Sequence, residues 1–375
     1  MTEGQGALAR GGGRVYVSGS MATAIDMARD SKSTVRLGRF AWGVLAYNLL
    51  VIAWGAYVRA SGSGAGCGRH WPLCNGELVP RAESAKTLVE ASHRVSAGLA
   101  MIVVVALMIW TLRTVPRGHR ARRASIFSAV FISGEALIGA GLVLFELVAK
   151  DESMKRGLSM VLHLGNTFLL LGALTITAWT LGRGATPVEE SAPTPAPPAS
   201  PLVRGGVFLA LAAVIVLGCS GAIAALGDTL FPATSLRAGL AMDLSPLAHV
   251  FLRLRVLHPF LALATGAIVF AMASVVRVSR PQRRVRTFSR VVTLLFALQF
   301  GVGLANVTLL APIGMQIVHL LMADATWIAL VLMAFEALYA NAPASSSAQS
   351  PIMSRNGPAP MSDVPPSTSS VDPVT

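Results

Sequence analysis

The chain consists of long apolar stretches separated by short polar segments. Eight of these stretches are roughly 20 residues long, which is the length an α-helix needs to cross about 30 Å of hydrocarbon. The pattern predicts an all-α integral membrane protein with eight transmembrane helices. We place these helices near residues 40–59, 88–112, 124–148, 158–181, 204–226, 254–276, 290–311 and 314–340.

Composition supports this prediction, and the distribution of charge predicts the topology. Hydrophobic residues make up 53% of the 375 residues and charged residues 13%, whereas soluble domains carry about 25% charge. The net charge of +13 is concentrated in two loops: residues 113–123 contain five arginines, residues 277–290 contain six, and neither has an acid. Short basic loops stay cytoplasmic. We therefore expect both termini inside a bacterial plasma membrane, and no binding of nucleic acid.

The helices divide four and four around a Pro-rich segment. Residues 183–202 form this predicted cytoplasmic linker, between an N-terminal bundle (36–182) and a C-terminal bundle (203–341). Because an even number of spans separates equivalent helices, the two bundles repeat one plan in parallel orientation. Residues 1–35 and 342–375 lack the apolar content to fold and are predicted to be disordered tails. The polar start also predicts that no secretory signal peptide is present.

Four histidines lie at matched depth in alternate helices. His93, His163, His258 and His319 are each about five residues into the second, fourth, sixth and eighth stretches, roughly 8 Å below the outer boundary. Ionisable residues at membrane depth indicate function by default, and bundles build metal and cofactor sites from facing helices. The pattern predicts two axial histidine pairs, one per bundle, that bind two haems.

Two other interpretations of the histidines remain open. Each could simply hydrogen-bond a neighbouring helix, or they could bind zinc, although zinc requires three or four converging donors. Nearby small residues would leave room for a flat macrocycle, or could serve ordinary helix packing; they are Ala97, Gly98, Gly165, Ala264 and Gly266.

Carboxylates distinguish the two halves. Glu90 precedes His93 by three residues and should lie on the same helix face, where it could exchange protons with a bound group or merely pair with Arg94. The equivalent position before His258 is Arg255. One half is therefore predicted to be reactive and the other to be a binding or electron-transfer site. Glu135 and Asp324 also fall within spans and should face a bundle or cavity, without an assigned role.

Several segments together resemble haem A synthase, and the resemblance covers nearly all eight spans. E-x-x-H-R alone would be a weak signal, but the combination is specific. The segments are Gly55–Cys67, Trp71–Cys74, Glu90–Arg94, Ala225–Pro232 and Asn306–Gln316, with His319, Ala323, Asp324 and Trp327.

The resemblance implies a reaction and a division of roles. A methyl group of haem O would be oxidised by successive hydroxylations to the formyl group of haem A, destined for cytochrome oxidase. His93 and His163 would bracket the substrate, with Glu90 as the reactive carboxylate, and His258 and His319 would ligate haem b. Pro259 departs from the arginine found there in many relatives, which weakens a propionate role at that position. Candidate propionate partners are Arg59, Arg94, Arg156 and Arg253, although each could equally be an interfacial arginine.

Cys67 and Cys74 lie in the first predicted outer loop, on the side where disulfides persist. They are predicted to form a disulfide, with a redox-cycling dithiol as the alternative. The expected partners are haem O, the farnesyltransferase that produces it, an electron acceptor and the lipid bilayer; a homo-oligomer remains open. The alternative function is a dihaem electron-transfer cytochrome without substrate chemistry. A transporter is disfavoured because transporter repeats are more often inverted and interrupted at mid-membrane.

Overall fold

A computed structural model describes residues 18–77, 84–183 and 198–339. Regular secondary structure in these ranges is α-helical, apart from an isolated bridge between Cys74 and Glu77. Nine helices are described: α1 (Ser18–Ala60), α2 (Ala85–Thr114), α3 (Arg120–Leu144), α4 (Met154–Arg183), α5 (Pro201–Leu230), α6 (Leu236–Asp243), α7 (Val250–Ser279), α8 (Arg283–Thr308) and α9 (Ile313–Tyr339).

Eight of the nine helices are long and apolar enough to cross a membrane, which confirms the predicted multi-pass all-α fold. The ninth, α6, is a short helix in the loop between α5 and α7 that the sequence analysis did not predict. Polar capping extends several helices beyond their apolar stretches. Ser84, for example, accepts a hydrogen bond from the Thr87 amide and so starts α2 three residues early.

Two helices end before their apolar stretches do. The third apolar stretch was predicted to end at residue 148, but α3 ends at Leu144, and Glu146 has a φ of 57°. The stretch predicted to end at 311 stops at Thr308, where Leu310 has a φ of 61° and Ala311 one of 52°. Positive φ is incompatible with a right-handed helix, so the backbone turns while the sequence remains apolar.

The predicted tails and linker are only partly covered. α1 begins at Ser18, so helix is present over residues 18–35, where the sequence analysis places part of a disordered tail. The N-terminal residues 1–17 and residues 184–197 of the linker lie outside the described residues, as does the predicted C-terminal tail 342–375.

Each half of the chain closes into a four-membered ring. In the first half α1 packs on α2, α2 on α3, α3 on α4 and α4 back on α1; in the second, α5, α7, α8 and α9 follow the same order. The second and fourth helices of each ring carry the histidines. This repeated neighbour order matches the duplicated plan inferred from the sequence.

The two rings meet where α4 packs on α5 and on α9, and where α1 packs on α9. We call the contact between α4 and α9 the seam. Phe168 and Trp327 stack there with ring centroids 5.2 Å apart, and Trp327 Nε1 donates to the Phe168 carbonyl at 2.7 Å. Further along, Trp179 Nε1 donates to Glu336 Oε1 at 2.7 Å. The fourth helix of each ring is thereby held against its counterpart.

Candidate functional site

All four histidines lie near the N-terminal ends of their helices, half-buried at one end of the molecule, which we call the histidine end. They follow the first residues of α2, α4, α7 and α9 by six to nine positions. At a rise of 1.5 Å per residue they lie roughly 9 to 14 Å along each helix. The histidines are deeper in their helices than expected because the helices begin earlier than the apolar stretches.

The second ring brings its two histidines together. The imidazoles of His258 and His319 have centroids 6.4 Å apart and an interplanar angle of 83°. Two imidazoles that ligate one metal through bonds of about 2 Å place their centroids roughly 6 to 6.5 Å apart. Ser220 Oγ lies 2.8 Å from His258 Nδ1, which leaves the Nε2 atom of His258 for a ligand.

The first ring holds a corresponding pair with a different environment. His93 lies on α2 and His163 on α4, the second and fourth helices of this ring. His163 Nδ1 lies 2.7 Å from Glu135 Oε2 on α3. The Nδ1 atom of His93 is buried and has no hydrogen-bond partner among the described residues.

Three glycines allow neighbouring helices to approach the imidazoles. A Cβ atom at Gly55 would lie 2.9 Å from His93 Cε1, one at Gly221 3.1 Å from His258 Cε1, and one at Gly303 2.9 Å from His319 Cε1. The sequence analysis missed these residues, although Gly-Ala occurs at both Gly55 and Gly221, in the first helix of each ring.

The small residues singled out from sequence have other surroundings. A Cβ atom at Gly98 would meet nothing within 4 Å, one at Gly165 would lie 3.7 Å from Cys219 Sγ, and one at Gly266 would lie 3.0 Å from Phe296 Cε1. An imidazole is not among the nearest neighbours of these three glycines, and both interpretations offered by the sequence, room for a macrocycle and ordinary helix packing, stay predictions.

The donor set suits a porphyrin iron rather than zinc. Within the described ranges no group of three or more His, Cys, Asp or Glu side chains converges on a point where a metal could sit, so the three or four donors of a zinc site are not assembled there. Paired imidazoles are the axial ligands of many haems. The spacing of His258 and His319 and the glycines beside the imidazoles fit that group.

Glu90 is buried and has two partners. Its Oε1 atom pairs with Arg94 Nη2 at 2.6 Å, and its Oε2 atom accepts a hydrogen bond from the Cys67 amide at 2.9 Å. The alternative left open by the sequence, a pair between Glu90 and Arg94, is thus present. The bond to Cys67 adds a link that the sequence did not indicate, between the first loop and the helix that carries His93.

The first loop is closed by a disulfide between Cys67 and Cys74, which confirms the predicted pairing. Arg94 holds the same loop through its Nη1 atom, which donates to the carbonyls of His70 and Leu73. Loop, carboxylate and guanidinium thus form one connected unit above His93. Cys219 is a free cysteine.

The position equivalent to Glu90 in the second ring has the opposite charge. Arg255, three residues before His258, pairs with Asp228 at 2.7 Å and also with Asp243 on α6. The asymmetry predicted from sequence is therefore accompanied by a reversed ion pair. A carboxylate lies one turn from the histidine in the first ring, and a guanidinium lies there in the second.

The arginines proposed as propionate partners all contact protein groups. Arg59 crosses between the rings, where its Nη1 atom donates to the Ala225 carbonyl and to Thr229 and its Nη2 atom to Gln316. Arg156 donates to the carbonyls of Ala149 and Asp151, and Arg253 to that of Pro246.

Two carboxylates in the spans were left without a role by the sequence. Glu135 is part of the first site, as described above. Asp324 on α9 is fully buried, and within the described ranges neither of its oxygens has a hydrogen-bond partner.

Comparison with known proteins identifies relatives that carry two different names. The chain is 45% identical over 303 residues to a Thermus thermophilus protein named "Protoheme IX farnesyltransferase", a match that covers 81% of this chain and 48% of the relative. It is 35% identical over 141 residues to "Heme A synthase" of Alkalihalophilus pseudofirmus, covering 37% of this chain and 45% of the relative. The corresponding match to "Heme A synthase" of Bacillus licheniformis is 38% over 113 residues, or 30% and 37%.

The chain thus spans about half the length, or less, of these curated relatives. The model of a single family, COX15-CtaA, described as "Cytochrome oxidase assembly protein", matches residues 38–331, which include all four histidines, Glu90 and the disulfide. The chain belongs to the COX15-CtaA family.

Proposed function

We propose that this chain is a haem A synthase, which oxidises a methyl group of haem O to the formyl group of haem A for cytochrome oxidase. The observation that carries the proposal is the pair of imidazoles, His258 and His319, 6.4 Å apart in a duplicated fold with a second pair. Membership of the COX15-CtaA family and similarity to proteins named "Heme A synthase" support it.

The two rings would divide the work. His93 and His163 would hold haem O as substrate, and His258 and His319 would hold haem b. A haem b ligated by two histidines supplies one-electron redox chemistry when bound. A difference in charge supports this assignment. The first histidine pair has the carboxylate of Glu90 beside it, whereas the second has the guanidinium of Arg255, which is paired with Asp228.

Glu90 is the residue to which we assign the reactive role. With water as the oxygen donor, each of the two hydroxylations of the methyl group releases two protons and two electrons, and the resulting gem-diol loses water to give the formyl group. The carboxylate of Glu90, oriented by Arg94 and by the Cys67 amide, would accept protons or stabilise a developing positive charge. The electrons leave to an external acceptor.

The alternative is a dihaem cytochrome that only transfers electrons. Such a conduit would usually place its haems toward both membrane faces, whereas all four histidines here lie at one end of their helices. This common depth favours the enzyme.

The test is to express the full chain with a source of haem O and to separate the extracted haems by chromatography. Wild type is expected to yield haem A. Glu90→Ala should leave haem O or a hydroxylated intermediate, with conversion reduced roughly 10²-fold or more.

Glu146→Ala is the matched control, because Glu146 is an exposed carboxylate paired with Arg69; it should convert haem O as wild type does. A wild-type protein that binds two haems but leaves haem O unchanged would favour the cytochrome. Full conversion of haem O to haem A by Glu90→Ala would show that Glu90 has no role in the reaction.

We further propose that the histidine end faces outward from a bacterial plasma membrane with both termini inside, and that a haem O-producing farnesyltransferase is a functional partner. The name of the Thermus relative, more than half of which lies outside the matched segment, supports the second point. Co-purification of tagged chain with the farnesyltransferase of the same cell tests it, and failure to co-purify in mild detergent would argue against a stable complex.

A further inference from the structure

The third helix of each ring carries a polar side chain that reaches the histidine of the fourth helix. In the first ring this residue is Glu135 on α3, beside His163. In the second ring it is Gln299 on α8, beside His319. Both residues are on the third helix of their ring, but one is a carboxylate beside Nδ1 of its histidine and the other an amide nearer to Nε2.

Glu135 is surrounded by donors. Its Oε2 atom lies 2.7 Å from His163 Nδ1, and its Oε1 atom accepts from Asn166 Nδ2 at 2.6 Å. Thr167 Oγ1 lies 3.1 Å from both oxygens and 2.9 Å from the His163 carbonyl, so its single hydrogen is shared among these acceptors. The Nδ1 atom of His163 is buried and lies in ion-pair contact with Oε2, without the alignment of a hydrogen bond. A hydrogen on Nδ1 suits this contact, because an ionised carboxylate only accepts hydrogen bonds. The Nε2 atom of that ring then keeps its lone pair for iron.

Gln299 makes a different contact. Its Nε2 atom donates to the main-chain carbonyl of His319 at 3.0 Å and lies 3.4 Å from the ring Nε2 atom. The Nδ1 atom of His319 has no hydrogen-bond partner in the described part of the chain. The imidazole in the second ring therefore has a neutral neighbour and no anionic acceptor at Nδ1.

A carboxylate hydrogen-bonded to a metal-ligating histidine fixes the tautomer and makes the imidazole a stronger donor. Stronger donation and nearby negative charge stabilise ferric over ferrous iron, so the reduction potential of the haem falls. We propose that Glu135 is a positioning residue: it orients His163 toward iron and lowers the reduction potential of the haem in the first ring. The proposal rests on the proposed function, because it assumes that His163 ligates a haem.

A purely structural role would be different. Glu135 also joins α3 to α4 through Asn166 and Thr167. If this were its whole role, replacing Glu135 would loosen the contact between the two helices and leave the reduction potential unchanged. Asn166→Ala separates the two roles, because it removes a link between α3 and α4 but leaves the carboxylate beside His163.

The experiment is an optical redox titration of the purified full chain with its bound haems. Glu135→Gln should raise the potential of one of the two haem transitions, Glu135→Asp should return it toward wild type, and Asn166→Ala should leave it unchanged. Gln299→Glu should lower the other transition, because it places a carboxylate beside the histidine of the second ring.

An unchanged titration of Glu135→Gln with both haems retained would overturn the proposal, as would a shift of the same transition by the variants at 135 and 299. If Glu135→Gln does not fold, Gln299→Glu decides, and an unshifted second transition counts against the proposal. A wild-type chain that binds no haem would instead refute the proposed function.

Discussion

Single glycines determine how closely the helices approach the imidazoles. Gly303 on α8 has no room for a methyl group, because its Cβ would lie 2.9 Å from His319 Cε1, whereas Gly301 on the same helix would meet nothing within 4 Å. The difference is one of side-chain direction, since residues two apart on a helix point to different sides.

We expect Gly303→Ala to displace His319 and to disturb the binding of the haem that we propose for the second ring. Forcing a methyl group into a packed site typically costs about 1–3 kcal/mol, so the haem content of the purified protein and its optical spectrum should change. Gly301→Ala is the control and should bind haem as wild type does. Equal behaviour of the two variants would show that contact with His319 is not what Gly303 provides.

The sequence predicted residues whose chemistry is unusual for their location, but few of their contacts beyond the Cys67–Cys74 disulfide and the Glu90–Arg94 pair. Four histidines at matched depth and an adjacent Glu90 are visible in a linear pattern. The approach of Gly55 to His93, the contact of Glu135 with His163 and the bond from Cys67 to Glu90 depend on the rotation of one helix against another. Helix periodicity alone does not define that rotation, so these contacts had to come from the structure.

At the level of elements, the disulfide loop and the start of α2 form one unit. The loop supplies the Cys67 amide to Glu90, and Arg94 on α2 returns two hydrogen bonds to loop carbonyls. Order in the loop and orientation of Glu90 are therefore coupled.

We expect the double variant Cys67→Ser, Cys74→Ser to loosen this loop and to reduce conversion of haem O. A disulfide that closes so short a loop contributes about 2–3 kcal/mol in the chain-entropy model. Limited proteolysis should cleave the variant faster in the first loop.

Cys219→Ser is the control, because Cys219 is a free cysteine on α5, away from the loop. Protease resistance equal to wild type in the double variant would mean that contacts with α2 suffice to order the loop.

Element boundaries were the least predictable part of the fold. Apolar runs identified eight helices because hydrocarbon thickness sets their length. Their ends depended on caps such as Ser84 and on the positive φ angles at Glu146 and Leu310, which hydropathy does not report.

For the whole molecule, the seam between α4 and α9 joins the two rings. We expect Trp327→Phe to lower the thermal stability of the protein in detergent, because it removes the hydrogen bond to the Phe168 carbonyl and costs about 1 kcal/mol. Trp110→Phe, at a partly exposed site on α2, should leave the unfolding temperature nearly unchanged. An equal fall in unfolding temperature in both variants would indicate that the hydrogen bond across the seam does not contribute to stability.

Topology is the second test at this scale. With Cys67, Cys74 and Cys219 replaced by serine, Leu247→Cys at the histidine end and Ser279→Cys at the opposite end provide two exposed reporters. A membrane-impermeant maleimide should label Leu247→Cys in intact cells and Ser279→Cys only after lysis, because basic loops stay inside. The reverse pattern would invert the proposed orientation.

The ring geometry also implies uneven tolerance to mutation. α9 packs in its own ring and along the seam, and it is buried at Asp324 and over most of residues 326–337. α8 packs mainly on its two ring neighbours, meets α4 where Phe288 packs on Trp179, and is buried at Val285, Ser289, Val292 and Phe296. Selection therefore restricts the side chains on two faces of α4 and α9, whereas most positions on α8 need only remain apolar. Homologues should drift fastest on such outward surfaces, and a duplicated ancestor would have diverged there first.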